Sequence, residues 1–452
     1  MDATTPSTPP APFYSQLYFW VLVGMILGII NGLCLPDVAA QLKPLSDAFI
    51  RMIRMLIAPI IFTTVVVGIA GMDNLKRLGR IGLKAVIYFE AMTTLALVIG
   101  WTVAKVLQPG AGMNADLSKL NVTELHSKLA ETGPQKGMAD LLVEFLLNVI
   151  PKTVVGAFAE GEILQVLFFS VLFGIAMAGV GEANRPVIHA LDQIAKALMG
   201  MIRFIIKLAP FAVFGSMSYT VGKFGIGSLR AQAWLLGCVF LTCICFVVFC
   251  LGTLLRLNGI SLWRLLRYVR EELFIIFGTA SSEPVFPRLL AKLEQAGCSR
   301  PLVGIVLPAG YALNLDGSSI YLAMGALFIA QATNAHLTFG QELAVLLVSL
   351  VTSKGAAAVV GSAFITLAAT LSSMKTIPVE GMVLILGVDW FLAMARAMTN
   401  MVGNTVATLI VAKWEREFDP AKAARALGAP ATVKRIPQPA PNTVTTEAAQ
   451  SD

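Results

Sequence analysis

Apolar residues fill this chain in long runs, each closed by a short polar or glycine-containing connection. Six runs of membrane-crossing length read as Tyr18–Leu35, Leu45–Gly71, Lys84–Leu107, Glu162–Val180, Ala190–Gly222 and Ala231–Leu257; about 20 residues suffice to cross a bilayer as a helix. A polar stretch from Gln108 to Gly161 separates the third run from the fourth. Within it, Asp140–Ile150 is short and amphipathic, suited to the membrane interface rather than to crossing.

After Leu257 the pattern changes. Trp263–Gly297 and Phe339–Met374 each consist of an apolar arm, a cluster of tiny or polar residues, and a second apolar arm. The clusters are Thr279-Ala280-Ser281-Ser282-Glu283-Pro284 and Thr352-Ser353-Lys354-Gly355-Ala356-Ala357-Ala358. Neither arm is long enough to span alone, so each unit predicts a re-entrant helical hairpin whose tip lines a cavity at membrane depth. A long helix-like segment follows each, Pro301–Asn334 and Pro378–Lys413. Hairpin, helix, hairpin, helix is an internal repeat, and interrupted segments at corresponding positions point to a transporter's midplane site. The fold class is therefore an all-α polytopic membrane protein, with eight transmembrane helices and two re-entrant hairpins.

Charge orients this arrangement. Lys76, Arg77, Arg80 and Lys84 follow the second span; Arg256, Arg264, Arg267 and Arg270 follow the sixth. Arg288, Lys292 and Arg300 follow the first hairpin, and Lys413, Arg416, Lys422 and Arg425 close the last helix, whereas Gln331–Gln341 has no Lys or Arg. Positive-inside counting places both termini in the cytoplasm. The first hairpin then enters from inside and the second from outside, an inverted repeat.

Composition agrees: 56% of the residues are hydrophobic and 13% charged, about half the charged share of a soluble domain. The net charge of +7 resides in the connections, as expected for an anionic inner leaflet and not for nucleic acid. The six cysteines show no metal-ligand spacing and read as packing residues, and no cofactor or metal is implied. His126, His189 and His336 are widely separated and no HExxH or GxSxG motif occurs, which argues against an enzyme. Met1–Phe13, rich in Pro, Thr and Ser and without Lys or Arg, lacks the basic start of a secretory signal. Residues 1–13 and the tail 415–452 are expected to be disordered.

Candidate chemistry appears wherever polarity interrupts an apolar helix. In Asn314-Leu315-Asp316-Gly317-Ser318-Ser319, Gly317 permits non-helical backbone, freeing carbonyls to coordinate an ion that Asp316 can neutralise. The plainer reading is a kink whose Asp is paired; the cost of a buried acid in a membrane favours the ion site. Asp389, Arg396, Asn400 and Asn404 form one polar stripe on the last helix. The rise from Asp389 to Arg396 is about 10 Å, a long reach for a direct pair, so the guanidinium fork is expected to hold a substrate carboxylate. A pair between Asp389 and Arg396 is the competing reading. Ser281 and Ser282 at the first tip suit anion binding by backbone N–H groups, although small-residue runs also serve tight helix packing. Glu90 and Glu283 are candidate proton carriers, since an apolar setting penalises a charged carboxyl; a structural hydrogen bond would explain each equally well.

SSEPVFPRLL, GYALNLDGSSIYLAMGALFIAQATN, LVTSKGAAAVVGSAFITLAATLS and ILGVDWFLAMARAMTNMVGNTVATLIVAKW together resemble the dicarboxylate/amino acid:cation symporter family, the glutamate-transporter homologues, and within it the bacterial C4-dicarboxylate transporters. The likeness runs from the first span to Trp414. It implies a homotrimer in a bacterial inner membrane, with a scaffold mainly from residues 14–262 and a transport core from 263–414 that moves like an elevator, spans three and six joining the moving part. By motif position the substrate would contact Ser282, Ser318, Val359, Gly361, Arg396 and Asn400, while Asn314, Asp316 and Asp389, with nearby carbonyls, would hold cations.

Departures from the family pattern refine this. The acidic residue that receives the substrate's amino group in amino-acid-transporting relatives is here Ala393. A buried ammonium would lack its partner, whereas a dicarboxylate has none to satisfy. Asn404 stands where sodium-coupled relatives carry a carboxylate, and Phe89 and Met92 replace oxygen-bearing residues. These changes favour protons over sodium as the coupling ion, and the retained Asp316 and Asp389 keep sodium open. The first serine of the usual triple-serine tip is Ala280. A dianion entering against 100 mV costs roughly twice 2.3 kcal/mol, so import needs co-transported cations. The expected function is symport of succinate, fumarate or malate; the alternative is a sodium-coupled glutamate or aspartate symporter.

Overall fold

The computed structural model describes residues 17–70, 75–115, 143, 147–353, 362–374, 376–386 and 388–428. Helices α1 (Leu17–Cys34), α2 (Lys43–Ala70), α3 (Leu75–Leu107) and α4 (Ile163–Val180) match the first four expected spans. The fifth differs: Ala190–Gly222 falls across two helices, α5 (Arg185–Ile205) and α6 (Ala209–Ala231), joined by the 3-10 turn Ile206–Leu208. Pro210 accounts for the joint, because its ring collides with the preceding turn and it has no N–H to donate. The sixth runs from α7 (Ala233–Cys245) through a π-helical turn, Phe246–Leu251, into α8 (Gly252–Leu257).

Next come α9 (Leu262–Tyr268), α10 (Arg270–Thr279) and α11 (Phe286–Gln295), then α12 (Arg300–Leu313) and α13 (Asp316–Ala332). Helices α14 (Phe339–Thr352) and α15 (Ser362–Met374) precede α16 (Asp389–Trp414) and α17 (Pro420–Leu427). The segment Pro378–Lys413, expected as one helix, is divided: short turns over Val379–Met382 and Val383–Leu386 precede α16, which makes Asp389 its first residue. Among the described residues, six stretches are long and apolar enough to cross a membrane. The polar stripe keeps α16 from being one of them.

Helix α1 lies along α6, and α2 packs on α4, α5 and α6. Gly24, Gly28 and Gly32, one turn apart, set the α1–α6 approach. A Cβ at Gly28 would stand 2.7 Å from the Phe214 carbonyl oxygen, and one at Gly32 2.7 Å from the Val221 Cβ; small residues at this spacing let backbones meet closely. A second group gathers around α13 and α16, which pack on each other and on α7, with α3 and α12 alongside and α14 and α15 against α13. The groups meet where α12 crosses α2 and α4 and where α10 crosses α1 and α6.

Helices α10 and α11 fold back on one another about a turn in which Ala280 takes φ 53°. Fully buried Glu272 binds Arg288 Nε at 3.0 Å and Lys292 Nζ at 2.6 Å, and Lys292 also donates to the Tyr268 carbonyl at 2.7 Å. Helices α14 and α15 are joined by Thr352 and Thr370, whose hydroxyls lie 2.9 Å apart. Of the second cluster, Thr352 and Ser353 are described and residues 354–358 lie outside the described residues, as does most of Asp140–Ile150.

The expected disorder of the tail is corrected as far as Gly428. Glu415 and Glu417 are buried. Glu415 meets Arg80 at 2.7 Å and Lys84 at 2.5 Å, and Glu417 meets Arg77 at 2.5 Å. Ser299 N donates to the Glu417 carbonyl and Asp419 N to that of Gly297. Asp419 then caps α17, accepting from Ala421 N and Lys422 N. Composition concealed this because ion pairs to residues far back in the chain hold the segment, with Phe418 and Leu427 packed on the core beside them. Residues 1–16 and 429–452 lie outside the described residues.

Candidate functional site

Between α12 and α13, Asn314 (φ −110°, ψ 74°) and Leu315 (φ −104°, ψ 60°) leave the helix while buried on all sides. The interruption exposes the last carbonyls of one helix and the first N–H groups of the next. Its position corrects the role expected for Gly317. That glycine is helical, in the first turn of α13, and both non-helical residues have negative φ, open to any residue type. What Gly317 permits is close approach: a Cβ there would lie 2.5 Å from the Arg396 carbonyl oxygen on α16.

Asp316 is buried against Gly403, where a Cβ would overlap its Oδ2. Asn314 Nδ2 donates to Asp316 Oδ2 at 3.3 Å and to Asn404 Oδ1 at 3.1 Å. Asn314 Oδ1 is buried with no hydrogen-bond partner among the described residues. This knot brings together three side chains with oxygen donors, the ligand type that hard cations take. Phe89 supplies no oxygen: its ring is buried against Gly310, beside Asn404.

One turn back along α16, Asn400 Oδ1 accepts from Gly317 N at 2.8 Å and Ser318 N at 3.3 Å, and its Nδ2 donates to Ser318 Oγ at 3.1 Å. A further turn back stands Arg396, 4% exposed, its guanidinium 4.2 Å above the Tyr321 ring. Here the structure corrects the sequence argument, since Arg396 Nη1 donates to Asp389 Oδ1 at 2.9 Å. Two turns of rise do not keep the pair apart, because the two residues share a face and the long Arg side chain leans towards the helix N-terminus. Ala393, between them in sequence, is buried and adds no charge.

The first tip presents Ser281 and Ser282, both buried. Ser281 Oγ has no hydrogen-bond partner among the described residues, and the Ser282 carbonyl accepts from Tyr311 Oη at 3.0 Å. Glu283, 4% exposed, is ion-paired with Arg54 of α2. Glu90 is half-buried on α3. Val359 and Gly361 lie outside the described residues. The structure thus hydrogen-bonds Asn314 to Asp316 and Asn404, joins Asn400 to Ser318 one turn away, and pairs Arg396 with Asp389. Tyr321, Tyr311 and Arg54 escaped the sequence reading. Tyr321 alone had a signal, lying three residues after Ser318 and so on its helix face.

The family model described as sodium:dicarboxylate symporter family matches residues 17–414. A C4-dicarboxylate transport protein of Laribacter hongkongensis is 54% identical over 417 residues, 92% of this chain and 93% of that protein. Proteins of the same description from Geobacter sp. (strain M21) and Rhizobium meliloti are 52% and 50% identical, covering 92% and 94% of this chain and 94% and 96% of their own lengths.

Proposed function

The chain belongs to the sodium:dicarboxylate symporter family, and on that premise we propose that it is a secondary active symporter that imports C4-dicarboxylates such as succinate, fumarate or malate together with protons. One observation carries the substrate reading. A buried guanidinium, Arg396, stands one turn from Asn400, and the position between it and Asp389 that could hold an ammonium partner is Ala393. A carboxylate can join Arg396 from the side away from Asp389 without stranding a charge, whereas the amino group of glutamate or aspartate would be buried unpaired.

In this reading Arg396, Asn400, Ser318, Ser281, Ser282, Val359 and Gly361 line the substrate site. Asn314, Asp316, Asp389 and Asn404 serve the coupling cation. Proton coupling draws support from the apolar ring of Phe89 and the neutral Asn404 beside Asn314, since sodium binding wants more oxygen than this corner offers. Glu90 and Glu283 are the candidate proton carriers. The protein works as a multi-pass inner-membrane homotrimer with cytoplasmic termini. The helices around α13 and α16 move against α1, α2, α4, α5 and α6, a division that their packing supports.

Uptake of labelled succinate into proteoliposomes under separately imposed proton and sodium gradients tests the proposal, with glutamate as competitor. Proton-driven uptake indifferent to glutamate is the expected result. Uptake that follows sodium alone overturns the coupling assignment, and glutamate uptake without succinate uptake overturns the substrate.

A further inference from the structure

Two ion pairs among the described residues cross the boundary between the helix groups: Arg300 of α12 with Asp192 of α5, and, at the tip that carries Ser281 and Ser282, Arg54 with Glu283. Arg54 of α2 reaches a single carboxylate oxygen of Glu283 with both Nε (3.2 Å) and Nη2 (3.0 Å). The burial is one-sided: the Glu283 side chain is 5% exposed and that of Arg54 40%. Opening the pair would leave Glu283 as an uncompensated charge within the protein, a costly state.

The tip is anchored twice. Tyr311 of α12 holds the Ser282 carbonyl from within the group that bears the polar network. Arg54 holds the adjacent residue from α2, which packs on the opposite group. From these contacts we infer that the Arg54–Glu283 pair is a clasp between α2 and the first hairpin tip, and that Arg54 is a positioning residue fixing the Ser281–Ser282 backbone in this conformation. The inference rests on the two-part reading of the proposed function. Any displacement of the hairpin past α2 must open the pair, so the clasp biases the protein towards the arrangement seen here. A buried carboxylate whose partner sits across a moving boundary needs another cation, or a proton, whenever that boundary shifts.

Hydrogen exchange followed by mass spectrometry over the peptide spanning Thr279–Phe286 reads the clasp directly, since tip amides exchange only when the local structure opens. Arg54→Gln and Glu283→Gln are expected to speed exchange of this peptide at least tenfold and leave exchange across α13 unchanged. Arg54→Lys, which keeps the charge, retains most of the protection. The reciprocal pair Arg54→Glu with Glu283→Arg restores protection even though it removes any proton carrier at position 283, so tip closure and proton-driven uptake separate in that variant. If Arg54→Gln leaves the tip as protected as the unmodified protein, or Arg54→Lys exchanges as fast as Arg54→Gln, the clasp is overturned. Failure of the unmodified protein to take up succinate would instead overturn the transport reading, which this exchange measurement does not use.

Discussion

Arg396 is held from two sides, by the Tyr321 ring beneath it and the Asp389 carboxylate beside it. A lysine there would keep the charge and lose the planar fork that grips a carboxylate through paired N–H groups. Arg396→Lys is expected to cost about 2–3 kcal/mol of substrate binding, roughly a hundredfold in the succinate concentration for half-maximal uptake. Ala393→Asp tests the selectivity argument from the other direction. Succinate uptake should fall at least tenfold and aspartate should begin to compete, because the new carboxylate repels a dianion and can pair with an ammonium; if aspartate still fails to compete, Ala393 does not set the choice. The residues of this site were largely legible in the sequence because a charge or amide inside an apolar helix is expensive and stands out: Asp316, Asn314 and Asn404 are hydrogen-bonded together, and Asn400 binds the first turn of α13 beside them. Tyr321, Tyr311 and Arg54 were not, since an aromatic in an apolar run or a basic residue near a span's end has ordinary explanations. The Asp389–Arg396 pair is not legible from axial rise between backbones, because the length and lean of the arginine side chain carry it across two turns.

At the scale of elements, the site exists because two backbones come nearly into contact. Gly317 on α13 and Gly403 on α16 face the partner helix without side chains, and Gly403 leaves room for the Asp316 carboxylate. In Gly403→Ala the added methyl must displace that carboxylate, an overpacking cost of about 1–3 kcal/mol. The helix itself gains slightly from the exchange. Cation-driven succinate uptake is therefore expected to drop roughly tenfold or more with helix content by circular dichroism unchanged; full activity would mean that Asp316 does not need its present position. The interruption between α12 and α13 could be anticipated, since Asn314-Leu315-Asp316-Gly317-Ser318-Ser319 breaks an apolar run. Where the break falls could not. It lies at Asn314 and Leu315 rather than at the glycine, because neither residue needs the left-handed conformation that glycine favours. The joint between α5 and α6 lay in a long run marked there by Lys207 and Pro210.

At the scale of the whole molecule, the segment after Trp414 closes the structure. Burial opposes the charge of Glu415, but hydrogen bonds and attraction from Lys84 and Arg80 outweigh it and hold the carboxyl below its ordinary range. A depressed value in the folded state means stability present above the unfolded value, about 4.3, and lost as pH falls through the folded one. Glu415→Gln should lower stability by about 1–2 kcal/mol, discounted because the cations are half-exposed. In thermal melts the gap between variant and parent should stay constant from pH 8 to about 5 and close only under stronger acid. A gap that closes near neutrality would remove Glu415 from the clasp at the base of α3. Composition could not reveal this closure, since its partners are far apart in the chain. Arg80 and Glu415 are separated by 335 residues, and a ribosome adding about 5–20 residues per second needs from roughly 15 s to about a minute to cover that distance. Throughout that interval the newly inserted start of α3 carries its arginines with no protein carboxylate to meet them, and on the proposed orientation anionic lipid headgroups are their interim counterions. Completion of the chain is then an exchange reaction, in which late-made acidic residues displace lipid from early-made basic ones. A nascent chain stopped at Trp414 would keep every helix from α1 to α16 and still wear the surface of an unfinished protein.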